Sequence, residues 1–237
     1  MPFIFELKMK RYRTIRFPLA IKEKLLDIRS QAQNLFNNYK NKYQFVCRKG
    51  CADCCVVFPW HLIEAAYICY RLNRNPSLFD PNVLAKHINK LDKIFEERKI
   101  SLTHKEAPLL YLRSRKEASY FYDILSDQRC PFLAKDNSCV IYDYRPIICI
   151  MFGSKNKSSC KGDSRDAFLS TQERLYDYHL QKIARKLESL SKRFLGTFCP
   201  EFLRFKPKLI MPINRWIEVK DKKILLCLPG VRIEILP

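Results

Sequence analysis

Four cysteines stand within nine residues, Cys47, Cys51, Cys54 and Cys55, three of them spaced C-x3-C-x2-C with the fourth directly adjacent. Gaps of two or three residues let the backbone loop so that thiolates converge on one ion or cluster, at about 2.3 Å for zinc. Gly50, just before Cys51, supplies a residue free to adopt positive φ in that loop. Neighbouring side chains point apart, so Cys54 and Cys55 do not readily share one ion. One of the pair then serves a second metal, bridges, packs or stays reactive. The alternative, four buried thiols without a metal, fits less well, because thiols clustered at such spacings are usually ligands.

A second set follows far along the chain. It runs through Cys130-Pro131-Phe132-Leu133, the turn-forming Asp136-Asn137-Ser138, Cys139-Val140-Ile141-Tyr142 and Tyr144-Arg145-Pro146-Ile147-Ile148-Cys149. With the first cluster, this ordered series over about residues 46–160 resembles the YkgJ-type cysteine-cluster family, the zinc- or iron-chelating CxxCxxCC proteins. The resemblance implies that Cys47, Cys51, Cys54, Cys55, Cys130, Cys139 and Cys149 are the chelating set, and that Glu64 and Ala65 lie on the helix following the cluster. Family members often carry arginine after the last of these cysteines, where this chain has Ile150. The family implies metal binding but no settled reaction. Cys160, in a Ser158-Ser159-Cys160-Lys161-Gly162 loop, would make eight thiols, enough for two four-sulfur sites, and Cys199 is the other candidate for that place. Cys69 and Cys227 sit among apolar neighbours and read as core.

Zinc and iron–sulfur clusters both accept four thiolates. No histidine stands at finger-like spacing, which tilts the reading toward iron–sulfur, and His61 reads as a surface or supporting residue. Arg48, Lys49 and Arg145 are available to offset thiolate charge, although solvent exposure is the ordinary fate of each. The C-x3-C-x2-C spacing also resembles the radical-SAM signature. Asp53 replaces the aromatic usual before its third cysteine, however, and the strand–helix alternation of a barrel is missing. The cysteine pattern is also similar to that of flagellin lysine N-methylase, over the cluster alone. The five glycines form no phosphate-cradling run. The paired Glu96 and Glu97 lie in a charged helix and read as solvated.

The net charge of +20, from 44 Lys and Arg against 24 Asp and Glu, favours an anionic partner such as RNA or DNA. Scattered through every segment, the same charge also suits a merely lysine-rich composition. Eleven cysteines in a 237-residue chain whose first residues are basic and lack a signal-like apolar core point to the cytoplasm, where thiols bind metals instead of pairing. No apolar run reaches the roughly 18 residues of a membrane span.

These cysteines must be positioned by helices. Ile21, Leu25, Ile28, Ala32, Leu35 and Tyr39, with Leu26 and Phe36 widening the stripe, predict an amphipathic helix over 19–43 leading to Cys47. Further helices are expected over 61–73, from the Asp80-Pro81 cap to about residue 99, over 101–125 with Pro108 starting or kinking the second half, and over 164–195 with Gly196 as its stop. Residues 3–16 alternate like an edge strand or ordered arm. The tail predicts a hairpin, 216–219 and 224–228 about a polar turn at 220–223, and one more strand over 231–236. The expected fold is mainly α (α+β), a single domain over 1–237, with a helical metal-binding core built around cysteine-rich loops at 46–160 and a small β tail at 213–237.

Overall fold

The computed structural model describes residues 11–43, 52, 55, 60–97, 128–151, 178–200, 203, 210–211, 216–228 and 231–236. The helix expected over 101–125 and the first part, 164–177, of the one expected over 164–195 lie outside these residues, as do Cys47, Gly50, Cys51, Cys54 and Cys160. What is described is mainly helical, with a small sheet formed largely by the C-terminal residues.

Strand β1 (Arg11–Arg16) leads through Pro18 into α1 (Leu19–Tyr43). The Pro18 carbonyl accepts the N–H groups of Ile21 and Lys22, closing the first turn. The helix buries Ile21, Leu25, Ile28 and Ala32, with Leu35 and Phe36 partly covered. Leu26 departs from the expected stripe and is 41% exposed. Its position falls on the flank of the helix, away from the line that faces the core.

The centre of the fold is α2 (Leu62–Arg74), in which Leu62 to Tyr70 and Leu72 are all buried. Such a helix is apolar nearly all round because it is covered on several sides. Strand β2 (Trp60–His61) precedes it and pairs antiparallel with β3 (Ile210–Met211). The N–H of Ile63, one of the donors a helix start leaves unpaired, donates to the buried hydroxyl of Ser191 at 3.3 Å. A 3-10 turn (Pro76–Leu78) then leads to α3 (Pro81–Glu97), whose start is capped as expected: Asp80 Oδ1 accepts the N–H of Asn82 at 2.8 Å. Leu84, Ile88, Leu91 and Phe95 form its buried face, and Glu96 and Glu97 stay exposed.

After a 3-10 turn (Tyr142–Tyr144) and the short α4 (Ile147–Met151), the long helix α5 (Tyr178–Phe198) packs on α1 and α2 through Ile183, Leu187, Leu190, Phe194 and Leu195. Gly196 does not end it. The helix runs through Gly196 to Phe198, because the ring contact between Phe194 and Phe198 and the burial of Leu195 outweigh the ~1 kcal/mol that glycine costs inside a helix.

Strands β4 (Ile217–Lys220), β5 (Lys223–Leu228) and β6 (Val231–Leu236) form a meander in a sheet of order β1-β6-β5-β4. The hairpin turn sits on Asp221 and Lys222, both at positive φ, as two-residue hairpin turns of the primed type require. Val231, Ile233 and Ile235 alternate inward on β6, the period-2 pattern of a half-covered strand. The fourth strand is β1, pairing parallel with β6 along its edge, so the expected C-terminal sheet also takes in residues from near the start of the chain.

Asn73, near the end of α2, fastens helix to sheet. Its amide nitrogen donates to the carbonyls of Ile224 at 2.9 Å and Ile235 at 3.1 Å, and its oxygen accepts the Ile224 N–H at 3.0 Å. Asn73→Ala is therefore expected to lower stability by about 2 kcal/mol, the scale for stranding partly buried backbone groups, as a reduced midpoint in urea unfolding.

Candidate metal centre

The cysteine segments meet through their backbones before their sulfurs are considered. The N–H of Cys130 donates to the carbonyl of Cys55 at 3.0 Å, tying the end of the first cluster to the start of the second. Around Cys130 the chain turns back at once: the Leu133 N–H donates to the Cys130 carbonyl at 3.1 Å, and Leu133 forms a β-bridge with Cys139. Between them lies the predicted turn. Asn137 takes positive φ, and Asp136 Oδ1 accepts bonds from the N–H and hydroxyl of Ser138. This small hairpin brings Cys130 and Cys139 side by side from a nine-residue separation in sequence.

Cys149 arrives from the other direction, on the five-residue α4, where its N–H donates to the Pro146 carbonyl at 2.9 Å. The three later thiols and Cys55 act on one another electrostatically. Burial first, then the neighbouring Cys139 and Cys55, pushes the Cys130 thiol up to about 12. Cys149 is raised well above its usual value by burial, then by Cys130, Cys139 and Cys55, against the opposing charge of Arg145. Cys139 is also raised, chiefly by burial, with Cys55 adding to the effect and Arg145 opposing it. The structure thus brings Cys55, Cys130, Cys139 and Cys149 into one sulfur-rich neighbourhood.

Among the described residues, no group of three or more Cys, His, Asp or Glu side chains is disposed to hold a metal ion as it stands. Neutral thiols gain little from convergence and thiolates repel one another, so drawing four together requires the cation itself. The donor set nonetheless suits a chelated metal: four sulfurs of mutual influence beside one half-buried guanidinium, set among the buried Phe132, Ile141, Ile147 and Ile150.

Arg145 is not the exposed charge expected by default. Its guanidinium lies 4.0 Å from the centroid of the Tyr142 ring, which holds it close enough to Cys139 and Cys149 to favour their ionised forms. Trp60, just beyond the first cluster, stacks on Phe132, just beyond Cys130, with centroids 5.7 Å apart, and its carbonyl accepts the buried indole N–H of Trp216 at 2.8 Å. That aromatic stack is a second bond between the two cysteine segments, and the sequence reading did not foresee it.

Sequence reading also passed over Glu64 and Arg29 as chemical groups. Glu64 is only 3% exposed although ionisable, and Arg29 only 8%. One oxygen of Glu64 accepts the Ile147 N–H at 2.5 Å, and the other accepts the His61 N–H at 3.3 Å. Arg29 donates to the carbonyls of Arg145 and Asp143, the latter at 3.1 Å. Burial raises the Glu64 carboxyl, opposed by its two backbone bonds and the charge of Arg29.

The remaining candidates divide. Cys69 is fully buried in α2, as expected of a core position, whereas Cys227 on β5 is half-buried outside the core, its Sγ 3.9 Å from Glu218 Oε2. Cys199, the alternative eighth ligand, is buried just after α5, 3.7 Å from a guanidinium nitrogen of Arg13 on β1. Burial lowers the His61 imidazole to about 4, and the charge of Glu188 on α5 opposes the shift.

The family model of the CxxCxxCC proteins, titled "Putative zinc- or iron-chelating domain", matches residues 46–174, more than half of the 237. The chain belongs to this family. The CxxCxxCC match takes in every cysteine from Cys47 to Cys160 and leaves out Cys199 and Cys227, so the four thiols that the structure groups are all within it. The family's description supports metal binding by this chain, with zinc or iron as the metal. No curated protein and no solved structure matches it significantly.

Proposed function

We propose that this CxxCxxCC protein holds an iron–sulfur centre through thiolates from residues 47–55 and 130–149, and serves in redox chemistry or metal handling in the cytoplasm. Cys55, Cys130, Cys139 and Cys149 form one four-sulfur set in this reading. Cys47, Cys51 and Cys54, with Cys160, supply a second. The observation that carries it is the bond from the Cys130 N–H to the Cys55 carbonyl, within the neighbourhood that Cys139 and Cys149 share. It also suggests how the adjacent pair divides: Cys55 goes with the later thiols, leaving Cys54 to the earlier ones.

An iron–sulfur cluster, when bound, supplies electron transfer at a potential set by the charge and hydrogen bonds near its sulfurs. The chain's own residues provide that environment. Arg145, stacked on Tyr142, offsets thiolate charge, while Phe132, Ile141 and Ile147 limit the approach of water. Anaerobic purification followed by iron and acid-labile sulfide analysis tests the reading. Stoichiometric iron and sulfide with absorption near ~400 nm are expected. A colourless protein with stoichiometric zinc replaces the cluster with the zinc that the family's description equally allows.

A further inference from the structure

Two buried charges reach the same stretch of backbone from two different helices. Arg29 of α1 donates to the carbonyls of Asp143 and Arg145, and Glu64 of α2 accepts the N–H of Ile147. Residues 143–147 are thereby held at three backbone groups. Immediately before this corner, the Cys139 carbonyl accepts the Tyr142 N–H at 3.1 Å; immediately after it, α4 carries Cys149. α1 ends before the first cysteine cluster and α2 begins after it, so the helices flanking that cluster grip the corner between two cysteines of the second set. Burying a carboxylate and a guanidinium is costly and contributes little to net stability compared with apolar residues of similar size. Bonds spent on irregular backbone beside the thiols place the use of this pair at the site.

We propose that Arg29 and Glu64 are positioning residues, a buried clamp that fixes residues 143–147 and so sets the backbone from which Cys139 and Cys149 can be drawn to a shared metal. The inference rests on the four-thiol reading above. Neither side chain touches the metal. Each acts through the backbone that carries the ligands, and loss of the clamp leaves the sulfurs present but misplaced. An outer partner that orients a ligand typically contributes 10- to 100-fold in metal affinity.

The test compares full-length protein, metal-stripped under reductant and titrated with Co2+ alone, whose thiolate charge-transfer absorption reports the number of sulfurs engaged. Glu64→Ala removes the negative charge that acts on the buried Arg29 and risks unfolding, so the informative variant is the double substitution Arg29→Met with Glu64→Met, which leaves no side-chain acceptor for the Ile147 N–H. It removes both charges together. Asn73→Ala, which loosens α2 from the sheet away from the thiols, supplies the destabilised control. The double variant is expected to bind Co2+ at least tenfold more weakly with reduced charge-transfer intensity, while Asn73→Ala binds like the native protein. Native affinity and spectrum in the double variant overturn the clamp, as does an equal loss in Asn73→Ala, which would make affinity a mere readout of stability. Failure of the native protein to bind Co2+ overturns the four-thiol reading itself, a result distinct from either.

Discussion

Cys149→Ser is expected to strip the metal from the four-thiol site, lowering affinity by more than the 10- to 100-fold typical of losing an outer partner, whereas Cys69→Ala keeps the native complement. Cys69 is fully buried and Cys149 half-buried, but exposure is not what separates a ligand from a core thiol here. Their surroundings separate them. Beyond the effect of burial, Cys149 is raised by Cys130, Cys139 and Cys55 and opposed by Arg145, while Cys69 is influenced, among the thiols of the described residues, by Cys227 across the contact of α2 with β5. A serine hydroxyl at position 149 stays protonated at neutral pH and is a poor substitute for thiolate. At Cys69 a methyl group in place of the thiol leaves a small cavity, with a penalty confined to stability.

The measurement is metal content after passage through a weak chelator, beside the unfolding midpoint of each variant. Retention of a full complement by Cys149→Ser, or an equal loss in Cys69→Ala, would show that the sulfurs grouped by the fold are not the ones that bind. The raised thiols also fix the direction of coupling: Cys130, pushed up to about 12, is protonated at neutral pH, so metal uptake expels its proton.

Legibility in the sequence followed the range of the interactions involved. Helices α1, α2 and α3 were readable because periodicity and the Asp80-Pro81 cap are local, and so was the hairpin, whose polar turn announces itself over four residues. The parallel pairing of β1 with β6 was not. An alternating segment shows that it has an edge to offer but carries no mark of its partner some 220 residues away. Gly196 misled for a related reason: propensity favours a stop there, and the tertiary packing of Phe194 and Phe198 overrides it.

The candidate site divides in the same way. Spacing identified the cysteines, but only chain crossing separates Cys55 from its neighbour, through a bond to a residue 75 positions on. Glu64 and Arg29 had signals that went unused. Glu64 is a lone acid inside the run Leu62-Ile63-Glu64-Ala65-Ala66, and Arg29 stands four residues after Leu25, on the apolar line of α1. A charge on a buried stripe needs a buried partner, and here each finds backbone at residues 143–147.

Acid should weaken the fold well before most carboxylates are protonated, with His61 and His87 the cause. Burial lowers its imidazole from 6.5 to about 4, only slightly countered by Glu188 on α5, and its Nδ1 is enclosed without a hydrogen-bond partner among the described residues. His87 on α3 is likewise lowered to about 4, by burial and by Lys90, and acts in the same direction. In the unfolded chain either histidine takes up a proton near pH 6.5. The folded chain refuses it until about pH 4. Between those values the unfolded state binds more protons, so stability is intact above about pH 6.5 and declines as pH falls toward 4, by at most about 3 kcal/mol for His61. Glu64 pulls the opposite way, since its raised carboxyl gains a proton more readily when folded, and the thiol site adds its own dependence. A difference measurement removes both: urea midpoints of the native protein and of His61→Asn, which keeps a residue suited to the N-cap of α2, taken from pH 7.5 to 4. The native curve should fall faster, and the gap between the two should change mainly between pH 6.5 and 4. Parallel curves would mean that His61 is hydrated and accepts its proton in the folded state as freely as in the unfolded one.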